Sequence, residues 1–304
     1  INIIVIDFIC CWVHRESNIS ERWGELCVDP AVASHWADEL QPTLEYSWVH
    51  GGYFRGGPAC LSCLLKAQRH DEVLQLVDKA PFLTWSYRRY GVLALAKSGK
   101  IVEAIRYAEA SQGLNDGYSA IASACETLLL NAGQREEAYR EFALSATTAT
   151  TNLARFRVLA KKYPEKDSRQ ILQDLIASTP GDEGKWFATA KSLADFELAT
   201  SLAYASPVNI GTLNRAARDF LEKRPEFSLD AALASLKWLA AGQYYEITGL
   251  DVYDSVRYAL DASGRVGCRE ETLQRIKSLI EALDTDHFIR EQIIASLGRL
   301  RITD

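Results

Sequence analysis

Residues 97–106 read KSGKIVEAIR, and residues 131–140 repeat the pattern as NAGQREEAYR. Gly, Glu, Ala and Arg recur in register, and the two glycines, Gly99 and Gly133, stand 34 positions apart. A helix pair of that size cannot bury its own apolar face, so it must pack against neighbouring copies. The repeat therefore predicts an all-α fold made of stacked helix pairs.

Two positions of the repeat have a clear structural purpose. Gly99 and Gly133 fit the sharp turn between two antiparallel helices, because glycine tolerates the left-handed backbone of a tight helix end. Ala104 and Ala138 fit the close approach of two helix backbones, where a larger side chain would clash. The pattern thus predicts where each helix pair turns and where its helices touch.

The chain after residue 59 keeps a helical periodicity that is broken by short polar segments, and it contains no strand-rich stretch. Pro207 and Pro225 are predicted to stop helices. The predicted helices are 59–68, 71–79, 83–98, 101–111, 118–131, 135–146, 151–162, 167–178, 186–206, 213–223, 228–241, 252–263, 270–283 and 287–300.

Residues 95–104 and 129–142 resemble the tetratricopeptide repeat through Leu95, Gly99 and the pair Glu103-Ala104, which recur 34 residues later. Residues 68–74 form a weaker third copy, and the early Trp, the Gly-Tyr pair and the terminal Pro of the family are mostly absent. The resemblance is divergent and covers residues 59–147. It implies a right-handed α-solenoid of antiparallel helix pairs, a tetratricopeptide-like superhelix that binds a peptide or protein on its concave face.

The chain contains no Met at any of its 304 positions, whereas Leu-rich helical proteins normally hold several. Met positions missing from the sequence would shorten spacings and shift the helical phase by one at each such point. The offset of 31 residues between Gln68 and Gly99 would then regain the full repeat period.

Residues 1–57 differ from the rest of the chain and contain four of its seven Trp residues. Residues 1–9 are rich in β-branched side chains and fit either a buried strand or an apolar helix. A Gly-rich joint follows at 50–58. We therefore expect three parts, which are 1–57, a Trp-rich cap or separate piece, 58–147, the tetratricopeptide-like repeats, and 148–304, further helical repeats or a helical C-terminal cap.

The composition favours a protein partner in a reducing compartment. The net charge of −6 argues against a nucleic-acid partner, because such binding needs clustered Lys and Arg. The seven Cys have no framework spacing, which is typical of reduced thiols in the cytoplasm. No apolar run approaches the ~20 residues that span a bilayer. The slight acidity of the chain predicts no membrane partner.

The most suggestive candidate site is the run Trp85-Ser86-Tyr87-Arg88-Arg89-Tyr90, which interleaves aromatic and cationic side chains. Such a run can stack on or pair with a partner. We predict Trp85, Arg88, Arg89 and Tyr90 as partner-binding residues, with Arg89 pointing to the concave face in the repeat register. The alternative is that the rings pack internally and the Arg side chains are solvated.

Cys60 and Cys63 form the single Cys pair with metal-like spacing, and His50 and His70 flank them. A structural zinc needs four ligands, and no second Cys or His pair lies nearby in the sequence. Both thiols also fall on one helix face among leucines, which fits buried core thiols equally well. We therefore predict no catalytic residues, no metal site and no cofactor.

The sequence as a whole favours a cytoplasmic scaffold or adaptor that binds a protein or peptide partner and has no chemistry of its own. Two alternatives stay open at this point. One is an enzyme whose active site is assembled across helices and uses the Trp-rich segment with Cys60 and Cys63. The other is the regulatory repeat region of a larger protein.

Overall fold

The computed structural model describes residues 17–81, 84–113, 117–284 and 287–300, and every regular element in these ranges is helical. The described residues form two compact units, one up to residue 148 and the other from residue 149. No helix in the described ranges has the length and apolarity that crossing a bilayer requires. The choice between strand and helix for residues 1–9 lies outside the described residues.

The helices of the first unit are α1 (Ser17–Glu21), α2 (Trp23–Leu26), α3 (Pro30–Val49), α4 (Gly57–Lys66), α5 (His70–Asp78), α6 (Trp85–Lys97), α7 (Ile101–Glu109) and α8 (Tyr118–Asn131). They are followed by α9, which comprises an α-helical start (Arg135–Ala138), a π-helical turn (Tyr139–Ala143) and an α-helical end (Leu144–Ala146). From α4 to α9 each helix packs against the next, while α4 also contacts α6 and α6 also contacts α8.

The helices of the second unit are α10 (Asn152–Lys162), α11 (Ser168–Ala177), α12 (Phe187–Ser192), α13 (Phe196–Ala205), α14 (Ile210–Phe220), α15 (Pro225–Ala240), α16 (Gly249–Val266), α17 (Arg269–Ala282) and α18 (Phe288–Arg299). A short 3₁₀ turn, Glu183–Trp186, leads into α12. Helices two apart also touch in this unit, as α13 does with α15 and α14 with α16.

The turn predicted from the glycines is present, and it recurs at a position without glycine. Gly99 and Gly133 have φ angles of 80° and 77°, and Gln68 has a φ of 60° at the corresponding place. In each turn the next residue donates its N–H to the carbonyl five residues before it, namely Lys100 to Leu95 (3.0 Å), Gln134 to Leu129 (2.8 Å) and Arg69 to Leu64 (3.0 Å). These bonds satisfy carbonyls that a helix end leaves without a partner.

The second unit contains the same turn at Ala194, which has a φ of 58°. Asp195 donates its N–H to the carbonyl of Ala190 at 3.1 Å, and α13 begins one residue later. The prediction of one helix over 186–206 is therefore wrong, because this turn separates α12 from α13. Alanine is the strongest helix former and gives no turn signal, so the residue at position 194 favours an uninterrupted helix.

Pro225 also differs from its prediction. It begins α15 instead of stopping a helix. Proline is well suited to the first helical position, where its missing N–H would have had no helical partner. The predicted start of this helix at Ser228 is therefore late by one turn, and Ser228 is buried with its hydroxyl donating to the carbonyl of Ala217 at 2.6 Å.

A small, fully buried residue follows each of these left-handed turns at the same distance. It lies five positions after the turn residue, on the first turn of the next helix. The four residues are Val73, Ala104, Ala138 and Ala199, and each is 0% exposed. The predicted close approach at Ala104 and Ala138 agrees with this burial.

Residues 17–57 belong to the first unit and pack on α4. The N–H of Gly24 donates to the Oγ of Ser62 at 3.0 Å, and a Cβ on Gly24 would lie 2.1 Å from the Ser62 carbonyl oxygen. Trp48 meets Tyr87 edge-on, with ring centroids 5.2 Å apart. The Trp residues in the described part of this segment therefore serve the hydrophobic core.

The second unit holds a buried polar chain between three helices. Ser255 on α16 donates to the Oδ1 of Asn214 on α14 at 2.9 Å, and Asn214 donates to the carbonyl of Asp251 at 2.9 Å. Ser235 on α15 lies 2.8 Å from Ser255, hydroxyl to hydroxyl. Because buried polar groups are costly without partners, this chain favours one register of α14, α15 and α16.

Exchanging glycine and alanine at two turns of the second unit should shift stability in opposite directions. We expect Ala194→Gly to raise the free energy of unfolding by up to about 1 kcal/mol, because left-handed strain of about 1–2 kcal/mol exceeds the entropy cost of glycine. Gly267→Ala should lower it by a similar amount, since Gly267 has a φ of 85° with open space around its Cβ position. Urea unfolding monitored by circular dichroism measures both changes.

Equal shifts of the same sign in the two variants would contradict this account. The exposed position of Ala194 keeps the comparison free of packing effects.

Candidate functional site

The predicted binding residues in α6 are engaged with other groups of the first unit. Arg88 is 17% exposed, donates to Asp78 Oδ1 at 2.8 Å and to the Tyr107 hydroxyl at 2.7 Å, and so connects α5 to α7. Trp85 is half-buried and packs against the hydrophobic cluster around Ala104. Both side chains are therefore partly covered by contacts within the first unit.

Arg89 and Tyr90 hold the N-terminal helix. The Nη2 of Arg89 lies 3.1 Å from the Oε2 of Glu21 and donates to the Tyr90 hydroxyl at 3.1 Å. Tyr90 is 2% exposed and donates its own hydroxyl to the Glu21 carbonyl at 3.1 Å. Burial raises the pKa of Tyr90 to about 12, against the lowering effect of the adjacent Arg89. The role of these residues in partner binding stays a prediction.

The Cys pair lies inside the core of the first unit. Cys60 and Cys63 are both 0% exposed. Burial raises the pKa of Cys60 to about 12, and burial together with nearby Cys27 raises that of Cys63. A thiol with such a pKa is neutral at physiological pH and is a poor nucleophile.

The flanking histidines have other partners. The Nδ1 of His50 lies 2.8 Å from the carbonyl of Tyr46, and that of His70 lies 3.0 Å from the Oγ of Ser98. Among the residues that the structure describes, no three His, Cys, Asp or Glu side chains are grouped so that they could hold a metal ion.

A different surface, in the second unit, has the form of a binding site. One cavity of about 450 Å³, here called the Phe196 cavity, is bordered by Phe196, Glu197 and Thr200 of α13 with Arg224, Phe227 and Asp230. A second of about 370 Å³, the Arg275 cavity, is bordered by Tyr204, Leu236 and Lys237 with Gln274, Arg275 and Leu279 of α17. We call the surface of α13, α15 and α17 that bears both cavities the groove.

Hydrogen bonds between α13 and α15 form the wall shared by the two cavities. The Thr200 hydroxyl lies 3.4 Å from Asp230 Oδ2, and the Tyr204 hydroxyl donates to the Asp230 carbonyl at 3.2 Å. Burial raises the pKa of Asp230, while its hydrogen bond with Thr200 and the charge of Arg275 lower it. The two cavities therefore adjoin at this polar contact.

The groove carries both apolar and cationic surface. The guanidinium of Arg224 lies 4.4 Å from the centroid of the Phe196 ring, and the Lys237 Nζ lies 4.3 Å from that of Trp238. Lys237 also donates to the Tyr204 carbonyl at 2.8 Å. Cations held against aromatic rings in this way are positioned without a carboxylate.

Sequence reasoning missed this groove because its residues come from separate helices. Lys237 and Arg275 have no common local pattern. One signal was present, since residues 194–199, ADFELA, follow the same turn pattern as residues 99–104. Recognition of that pattern would have placed the start of α13 and its exposed face.

Comparison with protein families, with characterised proteins and with solved structures finds no significant match to this chain.

Removing the Arg89 side chain should loosen the N-terminal helices. We expect Arg89→Ala to raise amide hydrogen exchange in residues 17–26 roughly fivefold, because a charge-assisted hydrogen bond is worth on the order of 1 kcal/mol. Arg106→Ala, at an exposed position of α7, is the matched control and should leave these amides unchanged. Unchanged exchange in both variants would show that Arg89 does not hold α1.

The buried thiols should resist alkylation in the folded protein. Burial raises the pKa of Cys125 to about 12, as it does that of Cys60, so at pH 8 about one such thiol in ten thousand is ionised. We expect iodoacetamide at pH 8 to modify the half-buried Cys268 and to leave Cys60 and Cys125 intact, as measured by peptide mass mapping. Rapid native-state modification of Cys60 would instead favour a reactive thiol, and denaturant supplies the control for full labelling.

Proposed function

We propose that this chain is a helical-repeat scaffold that binds a peptide segment of a protein partner in the groove of the second unit. The observation that carries the proposal is the pair of adjoining cavities along α13, α15 and α17, with their mixture of apolar, hydrogen-bonding and charged borders. Exposed grooves that combine these features are typical peptide-binding surfaces.

The repeated turn supports an α-solenoid of antiparallel, tetratricopeptide-like helix pairs as the framework. The same left-handed turn and the same buried small residue occur at Gln68, Gly99 and Gly133 in the first unit and at Ala194 in the second. A stack of such pairs places alternate helices on one face, and α13 and α15 are alternate helices in contact. Stacks of this kind commonly use the face lined by alternate helices for ligands.

The charges of the groove favour a protein partner over a nucleic acid. Arg224, Lys237 and Arg275 share it with Glu197 and Asp230, so its borders do not form the uniform cationic surface that a phosphate backbone requires. The net charge of −6 acts in the same direction. Of the two candidate surfaces, the groove is favoured over the α6 residues, because Arg88, Arg89 and Tyr90 already contact other groups of the chain.

Blocking one cavity tests the proposal. A random peptide library displayed on phage is selected on the full purified chain, and the enriched peptides are synthesised and titrated by fluorescence anisotropy. Ser278 borders the Arg275 cavity and is exposed, so Ser278→Trp should fill the opening without disturbing the core. We expect it to weaken peptide binding at least tenfold.

Ser123→Trp places the same ring on the exposed face of α8 and should leave the affinity unchanged. Selection that enriches no peptide, or peptides that bind the Ser278→Trp protein normally, would show that the groove is not the binding surface.

A further inference from the structure

We propose that the Arg275 cavity is the subsite for an acidic side chain, Asp or Glu, of the bound peptide. This inference rests on the proposed function and names the chemistry that the groove selects. It follows from the placement of two cations at one cavity, where neither forms an ion pair with a carboxylate of the described residues.

Several cations elsewhere in the chain form ion pairs with internal carboxylates. Arg69 pairs with Glu72 at 2.6 Å, Arg88 with Asp78 at 2.8 Å and Arg169 with Asp195 at 2.6 Å. In the part of the chain that the structure describes, Arg275 and Lys237 form no such pair. Two cations that form no ion pair within the described residues thus border one cavity, on helices α17 and α15, although the charge of Arg275 also acts on Asp230.

The two cations are placed to act together. The Tyr204 carbonyl and the Trp238 ring position the Lys237 ammonium, which can still donate its remaining N–H groups. Arg275 supplies a planar guanidinium that matches the two oxygens of a carboxylate. Leu236 and Leu279 form an apolar border beside the two exposed cations.

The opposite end of the groove has the reverse charge. Glu197, Glu226 and Asp230 border the Phe196 cavity, where Arg224 is the opposing cation. An acidic side chain is therefore attracted to the Arg275 cavity and repelled from the Phe196 cavity. This difference gives the bound peptide a direction, with its acidic residue at the α17 side of the groove.

The test measures how peptides selected on the wild-type full chain bind to that chain and to the variant Lys237→Glu/Arg275→Glu. We expect the wild-type peptides to share an Asp or Glu at one position and to bind the variant at least tenfold more weakly. Changing that Glu to Gln in a synthetic peptide should weaken binding to the wild-type chain by a similar factor and leave binding to the variant almost unchanged. Arg157→Glu/Lys161→Glu, which makes the same change of charge at exposed positions of α10, is the control.

The outcomes separate this inference from the proposed function. Peptides that lose affinity with Ser278→Trp but have no common acidic position, or that bind equally well after Glu→Gln, overturn the acidic subsite and keep the groove. Peptides that bind the Ser278→Trp protein with unchanged affinity overturn both the acidic subsite and the groove. Equal losses in the α10 control and in the groove variant would trace the effect to net charge and also overturn the subsite.

Discussion

The fold depends on one type of turn. A residue with left-handed backbone geometry ends a helix and lets the chain reverse within three residues. The bond from the following N–H to the carbonyl five residues earlier closes the first helix, and the next helix begins at once. Since the small residue five positions on is fully buried, the turn also fixes which face of the second helix meets its neighbours. The geometry of a single residue thus determines both the end of one helix and the packing of the next.

Side chains other than glycine at two of these turns show that packing outweighs local strain. Gln68 and Ala194 adopt φ angles of 60° and 58°, which cost an L-residue on the order of 1–2 kcal/mol. The helices on either side bury enough apolar surface to offset that cost, because a single buried side chain contributes about 1.5–3 kcal/mol. A repeat can therefore lose its glycine and keep its geometry, which makes it hard to recognise in a sequence.

Much of the fold was predictable from the sequence, and the failures have physical causes. The helix over 118–131 was predicted with the bounds that the structure has, because its apolar spacing is regular and a glycine precedes it. The segment 186–206 was predicted as one helix because its turn residue is alanine. The site was less predictable, since adjacent residues of a helix point in different directions. Arg88 therefore reaches α5 and α7, while its neighbour Arg89 reaches α1, and a compact aromatic and cationic run becomes two separate internal contacts.

The groove residues are far apart in the sequence but close together in space. This is the stronger argument for the binding function that we propose for them. Lys237 and Arg275 are distant in the chain, yet they border one cavity, and neither forms an ion pair with a carboxylate of the described residues. Ion pairs between exposed side chains contribute only about 0–1 kcal/mol to stability. Pairing these two cations with internal carboxylates would therefore add little to the stability of the fold, and leaving them without such partners costs little. Stability therefore neither requires nor opposes this arrangement, which is why we propose that the carboxylate of a ligand pairs with these cations.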